Sequence, residues 1–142
     1  MFRGKNPNRV QVEQTNHDQC VQAVASQLKA AGYFVLADHI HWEDGAPKEI
    51  EHCVPDIMAS KDNVTTVYEI ETCSTLGDVH TTQQLTTFSS QYKTVLVVPQ
   101  DCYSKFLNGS LIDHAKSGLL REGLRHVSVA VYDPSTDKLN YR

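Results

Sequence analysis

Apolar residues along the chain repeat with two different periods. Cys20, Val21, Val24, Ala25, Leu28 and Ala31 recur at helical spacing, which predicts an amphipathic helix capped by Thr15 or Asn16 and ended by Gly32. The run from Tyr33 to Ala37 reads as a buried strand. "PDIMAS" and "VTTVYEIET" read as two strands around a Lys-Asp-Asn turn. Leu85, Phe88 and Tyr92 form a helical stripe, predicting a second helix over 79–91. Its four threonines are poor helix formers, so packing must hold it. "TVLVVP" is the continuous apolar run expected of a central strand. Leu111, Ile112, Ala115, Leu119 and Leu120 mark a third helix, and "HVSVAVYD" alternates as a last strand.

Residues 1–14 have no periodicity and read as an arm. Residues 134–142 read as a tail or a short hairpin. The order α-β-β-β-α-β-α-β over 142 residues predicts one α/β domain. Three consecutive strands imply a mixed central sheet, and the helix before "TVLVVP" permits a parallel crossover.

Composition narrows the classes. No apolar run reaches the roughly 18 residues of a membrane span, and the basic N-terminus lacks the apolar segment of a signal peptide. A cytoplasmic location without membrane contact is expected. The four cysteines include no C-x-x-C pair, which favours scattered thiols over a disulfide framework or a zinc site. A zinc alternative, His39, His41, His52 and Cys53, lacks a recognised ligand spacing.

The net charge of −4 argues against broad, non-specific nucleic-acid binding. Its distribution says more: from Asp38 to Glu71 there are nine acids and two lysines, a net of −7. Basic flanks at Arg3, Lys5 and Arg9, and at Lys116, Arg121 and Arg125, enclose this acidic middle.

Within that middle, the two-strand segment places Asp56 before the first strand and Glu69 and Glu71 at the end of the second. Strand side chains alternate, so Glu69 and Glu71 share a face. In an antiparallel hairpin, opposed residues have a constant number sum. If Lys61 to Val64 form the loop, Ser60 opposes Thr65 and Asp56 falls opposite Glu69. A shift of two residues would set Asp56 against Glu71, whereas any even sum sends Asp56 to the other face. Carboxylates opposed in this way repel unless a cation or proton offsets them. Mg²⁺, with its demand for oxygen ligands, would suit the cluster.

Pro55-Asp56, then Glu69-Ile70-Glu71-Thr72, then Gln84 through Phe88 resemble the motifs of the PD-(D/E)XK nuclease superfamily, the restriction-endonuclease-like proteins. The order of elements from Asn16 to Pro99 resembles that family's core. The resemblance implies a Mg²⁺- or Mn²⁺-dependent endonuclease hydrolysing phosphodiester bonds. Asp56 and Glu69 would bind metal, the Ile70 carbonyl would be a further ligand, and Gln84 would touch the attacking water or the substrate backbone. Glu71 stands where the family usually has Lys. It would be a second ligand or a general base, with Lys61 or Lys93 as candidate replacements for the lysine. Phe88 stands where the family motif has Tyr. Some relatives also carry an acid or His ligand in the first helix, where this chain has Glu13 and His17. His17 is otherwise a solvent-facing residue.

The expected partner is nucleic acid, DNA first, with the chain acting as a homodimer or within a larger complex. The other reading is a catalytically inactive nuclease-fold protein serving as a nucleic-acid-binding or assembly module.

Overall fold

A computed structural model describes residues 11–73, 75, 79–99, 111–124 and 126–142. Helix α1 (Gln11–Ala30) begins earlier than the apolar stripe suggested, so residues 11–14 are not part of an arm. Its inward face continues past Cys20 as the buried polar residues His17 and Gln14, which an apolar periodicity does not register. Thr15 is not a cap: its hydroxyl donates back to the Gln11 carbonyl within the helix.

The helix ends as expected. Gly32 takes φ 94°, and the Tyr33 N–H closes on the Leu28 carbonyl at 3.0 Å. This is the left-handed stop for which glycine is suited.

The remaining elements are β1 (Phe34–Ala37), β2 (Ile57–Lys61), β3 (Val64–Ile70), α2 (Val79–Ser89), β4 (Lys93–Pro99), α3 (Leu111–Arg121), β5 (Ser128–Asp133) and β6 (Lys138–Tyr141). The six strands form one mixed sheet in the order β1-β2-β3-β4-β5-β6. The β3–β4 and β4–β5 pairs are parallel, each bridged by a helix. The other pairs are antiparallel. The C-terminal segment is therefore a paired edge strand rather than a loose tail.

Alternation along the strands makes three layers. Val95, Val97, Ile70 and Ile57 pack against Val21, Val24 and Ala25 of α1. On the other face, Leu96, Val98, Val129 and Val131 meet Leu85 of α2 and Ala115 and Leu119 of α3. Strand β4 is buried on both faces, which is why its sequence shows no alternation. Phe88 is fully buried with Val67 and Ile50, and Tyr92 packs against them. Leu120, expected in the core stripe, is 57% exposed. It lies next to Leu119, off the face that α3 turns to the sheet. The expected core roles of Leu111 and Ile112 fall on side chains outside the described residues.

Candidate metal centre

The hairpin register puts Asp56 beside Glu69. Ser60 pairs with Thr65 and Ile57 with Tyr68, the odd sum under which Asp56 continues opposite Glu69. The contact differs from two opposed carboxylates. The Asp56 N–H donates to Glu69 Oε1 at 3.0 Å, and the Ile70 N–H donates to Asp56 Oδ2 at 2.8 Å. Asp56 lies in a bend just before β2, so its side chain turns along the end of β3 instead of standing square to the sheet. Glu69 holds its main chain, and Ile70 holds its carboxylate.

A second ladder brings in residues further away in the chain. β1 pairs Ala37 with Ile57, and the Asp38 N–H extends the ladder to the Asp56 carbonyl at 2.9 Å. Asp38 and His39 therefore leave β1 directly beside Asp56. His39 adopts φ 73°, a left-handed conformation uncommon outside glycine but more accessible to histidine, asparagine and aspartate than to other residues. In that conformation its Nε2 lies 3.1 Å from Asp56 Oδ1. From α1, His17 places Nε2 3.1 Å from Asp56 Oδ2. The two imidazoles meet edge to face, with ring centroids 5.0 Å apart.

His17 is 2% exposed, and Asp56 is 5% exposed. The other ring nitrogen of His17, Nδ1, lies 3.0 Å from Asp18 Oδ1. Asp38 Oδ2 is buried with no hydrogen-bond partner among the described residues. It lies 3.7 Å from His39 Nε2. His17, His39 and Asp56 each offer one ligand atom, all within 4.8 Å of one another.

The electrostatics are those of a carboxylate held charged. Burial acts to raise the Asp56 carboxyl, but the adjacent His17 and His39 hold it well below the usual carboxylate range. Asp18 is likewise lowered: burial acts against ionisation, and the contacts to His17 and Gln14 outweigh it.

Glu71 is 2% exposed. Its N–H extends the β3–β4 ladder to the Val97 carbonyl at 2.9 Å. The Thr75 hydroxyl donates to Glu71 Oε2. Thr75 is fully buried and is tied in by the Thr81 hydroxyl, which donates to its carbonyl at 3.1 Å. A cavity of about 260 Å³ opens beside the cluster, lined by His17, Glu71, Glu13, Thr72, Cys73 and Tyr132 among others.

Asp56, Glu69, Ile70 and Glu71 thus gather at one end of the sheet, with Ile70 joined to Asp56 through its N–H. Gln84 is half-buried on α2, and no hydrogen bond among the described residues ties it to the cluster. Neither candidate lysine is at the site. Lys61 Nζ donates to the Ala31 carbonyl at 2.7 Å and lies over the Tyr33 ring, so it caps the C-terminus of α1. It is five residues from Asp56 along the strand, roughly 16 Å. Lys93 pairs with Thr66, toward the opposite end of β3 from Glu71.

His41 and His52 are exposed, and the group expected of a zinc site does not assemble among the described residues. Cys20 and Cys53 are free thiols, as expected, but Cys73 is disulfide-bonded, against that expectation. Trp42 packs against the core and donates from Nε1 to the Val35 carbonyl at 2.8 Å. The sequence reading missed Asp18, Asp38 and Thr75, and considered His39 only for zinc. The one local signal for His39 is its place just after a strand that neighbours Asp56.

The sequence matches no family model and no curated protein. The fold has solved counterparts. An XisH family protein from Nostoc punctiforme PCC 73102 superposes with a TM-score of 0.54 at 16% identity, covering 88% of this chain and 97% of that one. An fdxN element excision controlling factor protein from Anabaena variabilis gives 0.51 at 17% identity, covering 87% and 98%. At these identities the likeness is one of fold.

Proposed function

We propose that the chain is a metal-dependent nuclease that hydrolyses phosphodiester bonds at the Asp56 cluster. The observation that carries this reading is the buried Asp56 carboxylate, kept charged and met by two imidazole nitrogens, beside a cavity lined by Glu71. The residues suit a divalent cation. Asp56 and His17 supply ligand atoms, and the buried Asp38 oxygen that has no hydrogen-bond partner among the described residues gains compensation from positive charge nearby.

When bound, such an ion supplies charge to a phosphate and acidifies an attacking water. The protein's own part is positional. Ile70 and Glu69 hold Asp56 in place, Asp18 orients the His17 ring, and Thr75 orients Glu71 at the cavity wall. On this reading Glu71, which lines the cavity, accepts the proton of the attacking water as a general base. The cavity admits the phosphate of a strand end or of a strand drawn into it. One fold neighbour is named an fdxN element excision controlling factor, which makes DNA the substrate to try first.

One observation favours the second reading, an inactive binding or assembly module: Lys61 and Lys93 both lie away from the acids. The test is cleavage of supercoiled, linear and single-stranded DNA, and of RNA, in Mg²⁺ or Mn²⁺. Cleavage by the wild type that Asp56→Asn abolishes supports the nuclease. Binding of these substrates without cleavage in any of these metals moves the assignment to the binding module.

A further inference from the structure

The ligands expected from the motifs, Asp56, Glu69, Ile70 and Glu71, offer only oxygen, yet two imidazoles also converge on Asp56. We infer that His39 is a metal ligand, and that the centre takes a borderline transition ion such as Mn²⁺, Fe²⁺ or Zn²⁺ in preference to Mg²⁺. This rests on the reading of Asp56 as the heart of a metal site, but not on cleavage of nucleic acid.

Three observations converge. First, His17 Nε2 and His39 Nε2 each approach a different oxygen of the same carboxylate, both at 3.1 Å. They come from α1 and from the segment after β1, so no local structure forces them together. Ligand atoms about one ion, at roughly 2.1 Å from it, lie up to about 4 Å apart. The spread within 4.8 Å needs only a small closure to reach that.

Second, the far nitrogen of His17 is held by a carboxylate. His17 Nδ1 lies 3.0 Å from Asp18 Oδ1 while Nε2 of the same ring faces Asp56. A carboxylate holding the far nitrogen of an imidazole is the common outer partner of a metal-bound histidine.

Third, the backbone at His39 is left-handed, and its neighbour Asp38 keeps a buried oxygen with no hydrogen-bond partner among the described residues. Both carry a cost in free energy. That oxygen lies 3.7 Å from His39 Nε2, so a cation held by His39 would offset it.

Imidazole ligands suit Mn²⁺ less than Zn²⁺ or Fe²⁺, but all three accept nitrogen where Mg²⁺ prefers oxygen and water. Calorimetric titration of the full chain with MnCl₂, ZnCl₂ and MgCl₂, alongside His39→Gln, His39→Ala and Asp56→Ala, tests this. The expected result is one Mn²⁺ or Zn²⁺ per chain, bound at least tenfold more tightly than Mg²⁺. Either His39 change should weaken that binding about tenfold or more and leave Mg²⁺ within threefold.

Pulsed EPR of the Mn²⁺-loaded wild type gives a readout that does not depend on any variant folding: nitrogen couplings from two imidazoles are expected. If Asp56→Ala abolishes binding but His39 changes do not, or one imidazole couples, the His39 assignment fails and the Asp56 site stands. Equal preference for Mg²⁺ overturns the inference about ion class. If the wild type binds none of the three ions, both the inference and the metal reading of Asp56 fall.

Discussion

The main chain of Asp56 is held by the side chain of Glu69: the Asp56 N–H donates to Glu69 Oε1 at 3.0 Å. The two acids lie in adjacent strand ends without their carboxylates having to share one ion. Glu69→Gln keeps an acceptor at that place, whereas Glu69→Ala leaves a buried N–H unpaired. The alanine change should cost about 1–3 kcal/mol and the glutamine change less. Denaturant unfolding of both variants measures the difference. Equal losses would show that the hydrogen bond is not what Glu69 contributes.

Thr75 should matter to Glu71 more than its place in a loop suggests. Its hydroxyl donates to Glu71 Oε2, and the residue is fully buried. Thr75→Val keeps the shape and removes the donor, which should destabilise by about 1–3 kcal/mol. If Glu71 is the base, the variant should also lose turnover with little change in substrate affinity. Unchanged stability and unchanged turnover would remove Thr75 from the site.

Acid should act through Asp56. Its carboxyl is held well below its ordinary value of 3.8, so the folded state favours the charged form. The sign follows: this stabilisation is present above the unfolded value and is lost as pH falls from about 5 downward. In metal-free protein, the thermal midpoint should drop over that range, and Asp56→Asn should flatten the slope. Asp56→Ala, which strands two buried imidazoles, should cost about 3–5 kcal/mol at neutral pH. Parallel acid slopes in the wild type and Asp56→Asn would show that other groups carry the acid response.

Cys20 should be inert despite lining the cavity. It is 8% exposed, and burial pushes its thiol up to about 12. Almost none of it is thiolate at pH 8, and thiolate is the reactive form. Iodoacetamide at pH 8 should leave Cys20 unmodified in the native chain and modify it in denaturant, as read by peptide mass. Fast labelling of the native protein would mean that the α1 face opens.

Local pattern carried much of this in advance. Helical spacing located the three helices, and the continuous run of β4 announced a strand covered on both faces. The expected odd register holds although Lys61 and Val64 pair and the turn is only Asp62–Asn63, because strand side chains alternate and removing one residue from each side of a loop keeps the sum. That is enough to place Asp56 beside Glu69 from sequence alone. The polar start of α1 escaped the same reading, because Gln14 and His17 are buried without being apolar.

What only the tertiary structure decided is which side chains meet Asp56. His17 is 39 residues away, and its place depends on how α1 packs across the sheet. His39 arrives because β1 lies against β2, and because its backbone takes a left-handed turn. Lys61 was drawn elsewhere, to the carbonyl end of α1, by the same packing. Periodicity and turn length are properties of a few neighbouring residues. The meeting of distant segments is set by strand order and helix docking, so the approach of His17 and His39 to Asp56 and the position of the lysines became visible only in the folded chain.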